Sequence, residues 1–188
     1  MTESLGSPAE QEALLAFWFD PQHKEKWFRR DDDFDAELRQ RFGDLHAAAA
    51  EGRLDAWRET PRGSLAVVIL LDQLTRNFHR GTPEAFANDP TALVRAAEAI
   101  ERGFDRELGE TERVFLYMPF EHSELLADQE RGVELMGRLS SDPQWLKFAV
   151  MHRDLIARFG RFPHRNAVLE RESTVEEADF LKEPNSSF

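Results

Sequence analysis

The stretch S-L-A-V-V-I-L-L-D-Q-L-T-R-N-F-H-R, residues 64–80, decides the fold. Its apolar run, Leu65–Leu71, is far shorter than the ~20 residues needed to span a bilayer. Ala66–Leu70 taken alone reads as a buried strand. The run through Leu74 is long enough for a helix, and a helix apolar on nearly all sides belongs at the centre of a helical core. Its far end is polar: Asp72 and Arg76 stand four residues apart, which on a helix puts them on one face and lets them pair.

Outward from this segment the chain is punctuated by helix starts and stops. Ser7-Pro8-Ala9-Glu10 is a capping box with proline at the first helical position. Phe34, Leu38, Phe42, Leu45 and Ala49 keep helical spacing, and Gly52 suits the stop. Thr82-Pro83, Asp89-Pro90 and Asp142-Pro143 are three more starts. A helix is expected over Glu110–Tyr117 with an interruption at Pro119, then another over Ser123–Leu139. The last long helix carries Trp145, Phe148, Ala149, His152, Ile156 and Phe159 on one face and stops at Gly160. Arg161–Asn166 is expected to be largely non-helical, because Pro163 biases its predecessor out of the α region. Ser173–Glu176 is a final capping box. No strand of alternating period stands out. The reading is all-α: eight or nine helices joined by short loops, stacked as antiparallel hairpins. A single domain over 1–188 is expected, with frayed ends at about 1–6 and 183–188.

Composition supports one sizeable core. The chain has 188 residues, 41% hydrophobic, with 15 Phe and 4 Trp. That much apolar bulk argues against disorder, and a chain of this length buries roughly 70% of its unfolded surface. With no cysteine, disulfides, thiol catalysis and thiolate metal sites are excluded. The net charge of −12 argues against nucleic acid and anionic membranes as partners, since both need basic surface. The acidic start M-T-E-S lacks the basic opening of a signal peptide, so a cytoplasmic protein is expected.

Three segments hold the polar groups that matter for chemistry. The first is Asp72-Gln73 with Arg76-Asn77; its bland reading is an ion pair with Asn77 capping the helix. The second runs from Tyr117 to Gln129 and holds Glu121, His122 and Glu124. Acids near a helix start are favoured by its dipole. Glu121 and Glu124, three apart, would share a helical face and with His122 offer weak metal candidates. The third spans His152–Arg171, where five arginines face two acids, while residues 121–130 carry four acids. Such opposed segments pair internally or leave arginines for a ligand, since guanidinium suits carboxylate and phosphate. No phosphate loop, dinucleotide fingerprint or nucleophile elbow is present; Ser64 lacks the second glycine the elbow requires.

Several of these segments carry a resemblance. Leu15–Phe19, Lys26-Trp27-Phe28, Leu70–Gln73 with Arg76-Asn77, Phe115–Pro119 with Glu121–Glu124, and Arg158–Asn166 together resemble the bacterial "domain of unknown function 924" family, in order, from about Leu14 to Leu181. Thr75 is a departure from its pattern. The resemblance implies a tetratricopeptide-like, all-helical fold and brings no catalytic residues with it.

Two functional expectations follow. In the first, a binding module presents Asp72, Gln73, Arg76, Asn77, Arg161, His164, Arg165 and Asn166 to an anionic small molecule or peptide, or to another protein. In the second, a metal-assisted hydrolase draws ligands or acid–base groups from Glu121, His122, Glu124, His152 and His164. The cofactor is left open.

Overall fold

The computed structural model describes residues 5–139, 141–184 and 186. Much of the expected fraying at 1–6 and 183–188 falls on residues 1–4, 185, 187 and 188, which lie outside the described residues. Among the described residues there are nine α-helices and no strand. They are α1 Pro8–Trp18, α2 Asp32–Ala50, α3 Pro61–Ile69, α4 Thr75–Phe78, α5 Asp89–Glu101, α6 Glu110–His122, α7 Leu126–Met136, α8 Pro143–Phe159 and α9 Val175–Phe180. The segment that reads as strand or helix, Ala66–Leu70, is helical.

Local chemistry explains where the helices begin. The Ser7 hydroxyl accepts from Glu10 N while the Glu10 carboxylate takes Ser7 N at 2.7 Å, closing the expected capping box of α1. Asp31 accepts from Phe34 N and Thr60 from Gly63 N to cap α2 and α3, and Pro61 opens α3. Gly63 in that first turn is obligatory, because a Cβ there would sit 1.9 Å from the Trp57 carbonyl oxygen. The apolar stripe of α2 is buried as its spacing predicts.

The centre is α3. Every residue from Gly63 to Ile69 is buried, and the helix packs against α1, α5 and α6. At its end the backbone does not stop. Leu70–Leu74 widen into one π-turn and α4 continues directly, all in right-handed helical conformation. The Thr75 hydroxyl lies 3.5 Å from the Leu70 carbonyl, within the widened turn. All five π-turn residues are buried, Asp72 and Gln73 among them.

Two expectations are corrected. Pro119 does not interrupt its helix; α6 runs from Glu110 to His122 with Pro119 inside it. A proline there forfeits one backbone hydrogen bond, but every residue from Val114 to Glu121 is buried, and that packing outweighs the local loss. The next helix begins at Leu126 rather than Ser123, because Ser123 and Leu125 are extended. α7 then packs against both α6 and α8, with Gly132 brought close to Phe120. No helix among the described residues is long and apolar enough to cross a membrane.

Candidate functional site

The π-turn carries Asp72 to the C-terminal end of α6, where it meets His122. Asp72 is fully buried. Its Oδ1 lies 2.7 Å from His122 Nδ1 and accepts from Arg76 Nη1 at 3.2 Å, while Gln73 donates to Oδ2 at 2.6 Å. Burial alone would raise this carboxyl, but His122 and Arg76 reverse the effect and hold it well below the usual carboxylate range. Burial, with Arg76 adding to it, pushes the His122 imidazole down against the pull of Asp72. With the imidazole neutral near pH 7, Arg76 and the hydrogen bonds from His122 and Gln73 keep Asp72 a carboxylate. An ionised carboxylate can only accept, so Nδ1 carries the proton and Nε2 is left as an acceptor. Nε2 has no hydrogen-bond partner among the described residues.

A second layer fixes the first. Arg76 grips Asp89 with two hydrogen bonds, 2.8 and 3.0 Å. Arg165 reaches Asp89 at 3.2 Å and the His122 carbonyl at 3.1 Å, with its guanidinium 4.5 Å from the rings of both Phe86 and Phe162. Burial and Arg76 push Arg165 down to about 10, still cationic at neutral pH. Its Nε is buried without a hydrogen-bond partner among the described residues.

Beside this layer opens a pocket of about 490 Å³. Pro83, Phe86, Ala87, Pro90, Leu93, Leu125 and Leu169 supply its apolar wall, and His122, Ser123, Glu124, Asp128, Asp89 and Arg165 its polar positions. The Ser123 hydroxyl donates to Asp128 at 2.6 Å, so it is not aligned with His122 as a nucleophile.

A family model described as "Bacterial protein of unknown function (DUF924)" matches residues 14–185. The chain belongs to the DUF924 family. A solved structure of a protein of unknown function from Agrobacterium tumefaciens is similar to this DUF924 chain at 45% identity, covering 93% of this chain and 97% of that one, with a TM-score of 0.88. No curated protein matches.

The residues expected to form one anion site in this DUF924 chain divide among several places. Asp72, Gln73, Arg76 and Arg165 join the buried layer. Asn77 does not cap its helix; it donates to Asp35 at 2.6 Å, beside Arg80. Arg161 is clamped on Glu177 at 2.7 and 2.8 Å. Asn166 bonds Arg171 and Ser173. The local excess of arginine thus resolves largely into internal pairs, including Arg171 on Glu124 at 2.7 Å.

The residues expected to hold a metal do not converge either. Among the described residues no group of three or more His, Asp or Glu side chains is arranged to hold an ion. Glu121 and Glu124 do not share a helical face, because α6 ends between them; Glu124 instead takes Arg171 and the Phe162 amide at 2.8 Å. Glu121 is buried 3.6 Å from His152 Nδ1, and burial, helped by Asp72, pushes its carboxyl up to about 8. His152 Nδ1 faces the Phe148 carbonyl at 2.9 Å, and burial lowers the ring to about 3. His164 lies tilted against Phe162 and is lowered to about 4, first by burial and then by Arg165.

Sequence reasoning missed Asp89, Phe86 and Leu169. Asp89-Pro90 reads as a cap-plus-proline start, yet Asn88 occupies the N-cap and Asp89 is free to bind two arginines. The unusual number of arginines at 152–171 was a signal that distant acids were needed, without saying which.

Proposed function

We propose that the DUF924 pocket is a small-molecule binding site in which His122, oriented by Asp72, makes the polar contact. The 2.7 Å Asp72–His122 hydrogen bond carries this reading. A buried carboxylate that fixes an imidazole tautomer leaves the second nitrogen ready to accept a proton or a hydrogen bond. The wall beside it is mainly apolar, and the volume lies in the range of ligand pockets, ~300–1,000 Å³. The ligand is a compact molecule with an apolar body and a hydroxyl or amine that donates to Nε2. The same arrangement equips His122 as a general base toward that group or a bound water.

The test is nitrogen NMR of the imidazole side chains during titration with n-hexanol. Binding should move His122 Nε2, and Leu169→Trp, which fills the pocket, should suppress it while the fold stays intact. An alcohol that binds while Nε2 stays still would overturn the reading.

A second reading, an anion held by Arg165, is favoured by one observation, the unpartnered Nε of that side chain. It requires a small carboxylate to compete with Asp89. Hexanoate that binds and shifts Arg165 Nε, without moving His122, would support it.

A further inference from the structure

Resting on the small-molecule reading of this pocket, we infer that the ligand it selects is an amine carried on a hydrocarbon body. Most charges on the pocket wall are already matched. Arg165, the one arginine on the wall, is engaged by Asp89 and the His122 carbonyl. Asp89 is engaged by Arg76 and Arg165. Glu124 is engaged by Arg171 through both oxygens and by the Phe162 amide. Asp128 differs. It lines the pocket half-buried, its Oδ2 accepts from Ser123, and among the described residues no cation pairs with it.

The charge left over on the pocket wall is thus a single negative one, beside a neutral imidazole that offers a lone pair. An ammonium has three donors and no acceptor, which suits the unspent acceptors of the wall, a carboxylate oxygen and an imidazole nitrogen; the unspent donor, Arg165 Nε, is buried with its guanidinium against Phe86 and Phe162. A carboxylate ligand would meet Asp128 and Glu124 as like charges and would have to displace Asp89 from Arg165. The apolar wall formed by Phe86, Leu93, Leu125 and Leu169 takes the hydrocarbon, whose removal from water favours binding. A bare inorganic cation would leave that surface unused.

The experiment is calorimetric titration of the full chain at pH 7.5 with n-hexylamine, n-hexanol and hexanoate, on wild type, Asp128→Asn, Asp128→Glu and Leu169→Trp. Hexylamine is expected to bind about tenfold more tightly than hexanol, the worth of one charge-assisted hydrogen bond, and hexanoate more weakly than either. Asp128→Asn should erase the preference for the amine while leaving hexanol unchanged, and Asp128→Glu should restore it. Hexanol binding without a preference for the amine, or a preference that survives Asp128→Asn, overturns the inference while the pocket reading stands. If none of the three binds wild type, or if Leu169→Trp binds them unchanged, both fall. Unchanged hexanol affinity in Asp128→Asn also shows that the variant has kept the fold.

Discussion

Two regions of this molecule bury their side chains on opposite terms. Around the end of α1, Trp18, Trp27, Phe34 and Phe115 pack ring against ring, with Trp27 and Phe115 4.9 Å apart edge to face. The polar contact there is modest, one indole N–H donated by Trp27 to the Trp18 carbonyl at 2.8 Å. At the junction of the π-turn, α5 and α6, the chain instead buries Asp72 and Arg165 and half-buries Arg76 and Asp89 around His122. The first arrangement gains stability directly from removing aromatic surface from water. The second spends desolvation energy that a well-packed apolar cluster would not, so a buried ion network is weak support for the fold. The aromatic region therefore explains why the chain folds, and the ionic region is where a role beyond folding is expressed.

Four measurements break or sharpen that contrast. The largest loss is expected from Phe115→Ala, about 4 kcal/mol in denaturant unfolding, because Phe115 is fully buried and touches several rings. Arg76→Ala should cost about 3 kcal/mol, since it removes the one guanidinium that bridges Asp72 and Asp89 and leaves Asp72 with His122 and Gln73 and Asp89 with Arg165. A cost for Arg76→Ala below that of an exposed pair would remove the claim that this network is buried and mutually dependent.

Next comes Glu121→Gln, which reports on pH. The folded-state carboxyl titrates near 8 against an ordinary 4.5, so the folded chain holds a proton that the unfolded chain releases. Stability from this group is full below pH 4.5 and is lost as pH rises through about 8. The glutamine variant should flatten that decline and be more stable than wild type at pH 8 by about 1–2 kcal/mol in thermal and urea unfolding. Parallel pH–stability curves for the two proteins would sink the assignment. The smallest effect is expected from Arg131→Ala, within about 0.5 kcal/mol, because its pair with Glu134 is exposed on both sides.

How far the sequence could be read follows the same divide. Local signals were legible: Ser7-Pro8 with Glu10, the α2 stripe and the Asp72–Arg76 pair all depend on residues within a few positions of one another. What escaped was set at long range. Asp89 and Arg165 meet across 76 positions, and nothing near Asp89 announces it. Pro119 was misjudged because local preference argues for a break while packing from neighbouring helices decides otherwise. Glu124 was assigned to the wrong face because two extended residues, Ser123 and Leu125, separate α6 from α7. Of the candidate site, the sequence exposed Asp72, His122 and Arg165, but not the pocket that gathers them.

The widened turn at Leu70–Leu74 carries a consequence for how such a chain tolerates change in length. An α-helix advances about 100° per residue, so a π-turn is equivalent to one residue added within a continuous helix. Deleting a single residue there would restore ordinary winding and leave the helix beyond it close to its present register, while the residues of the turn itself shift. Asp72, carried on the turn itself, would leave His122 while Arg76 beyond it kept its register toward Asp89, although no side chain had been substituted. The register of one helix is thus itself an ingredient of the site, so length through residues 61–78 is expected to be less negotiable than identity at many of its apolar positions.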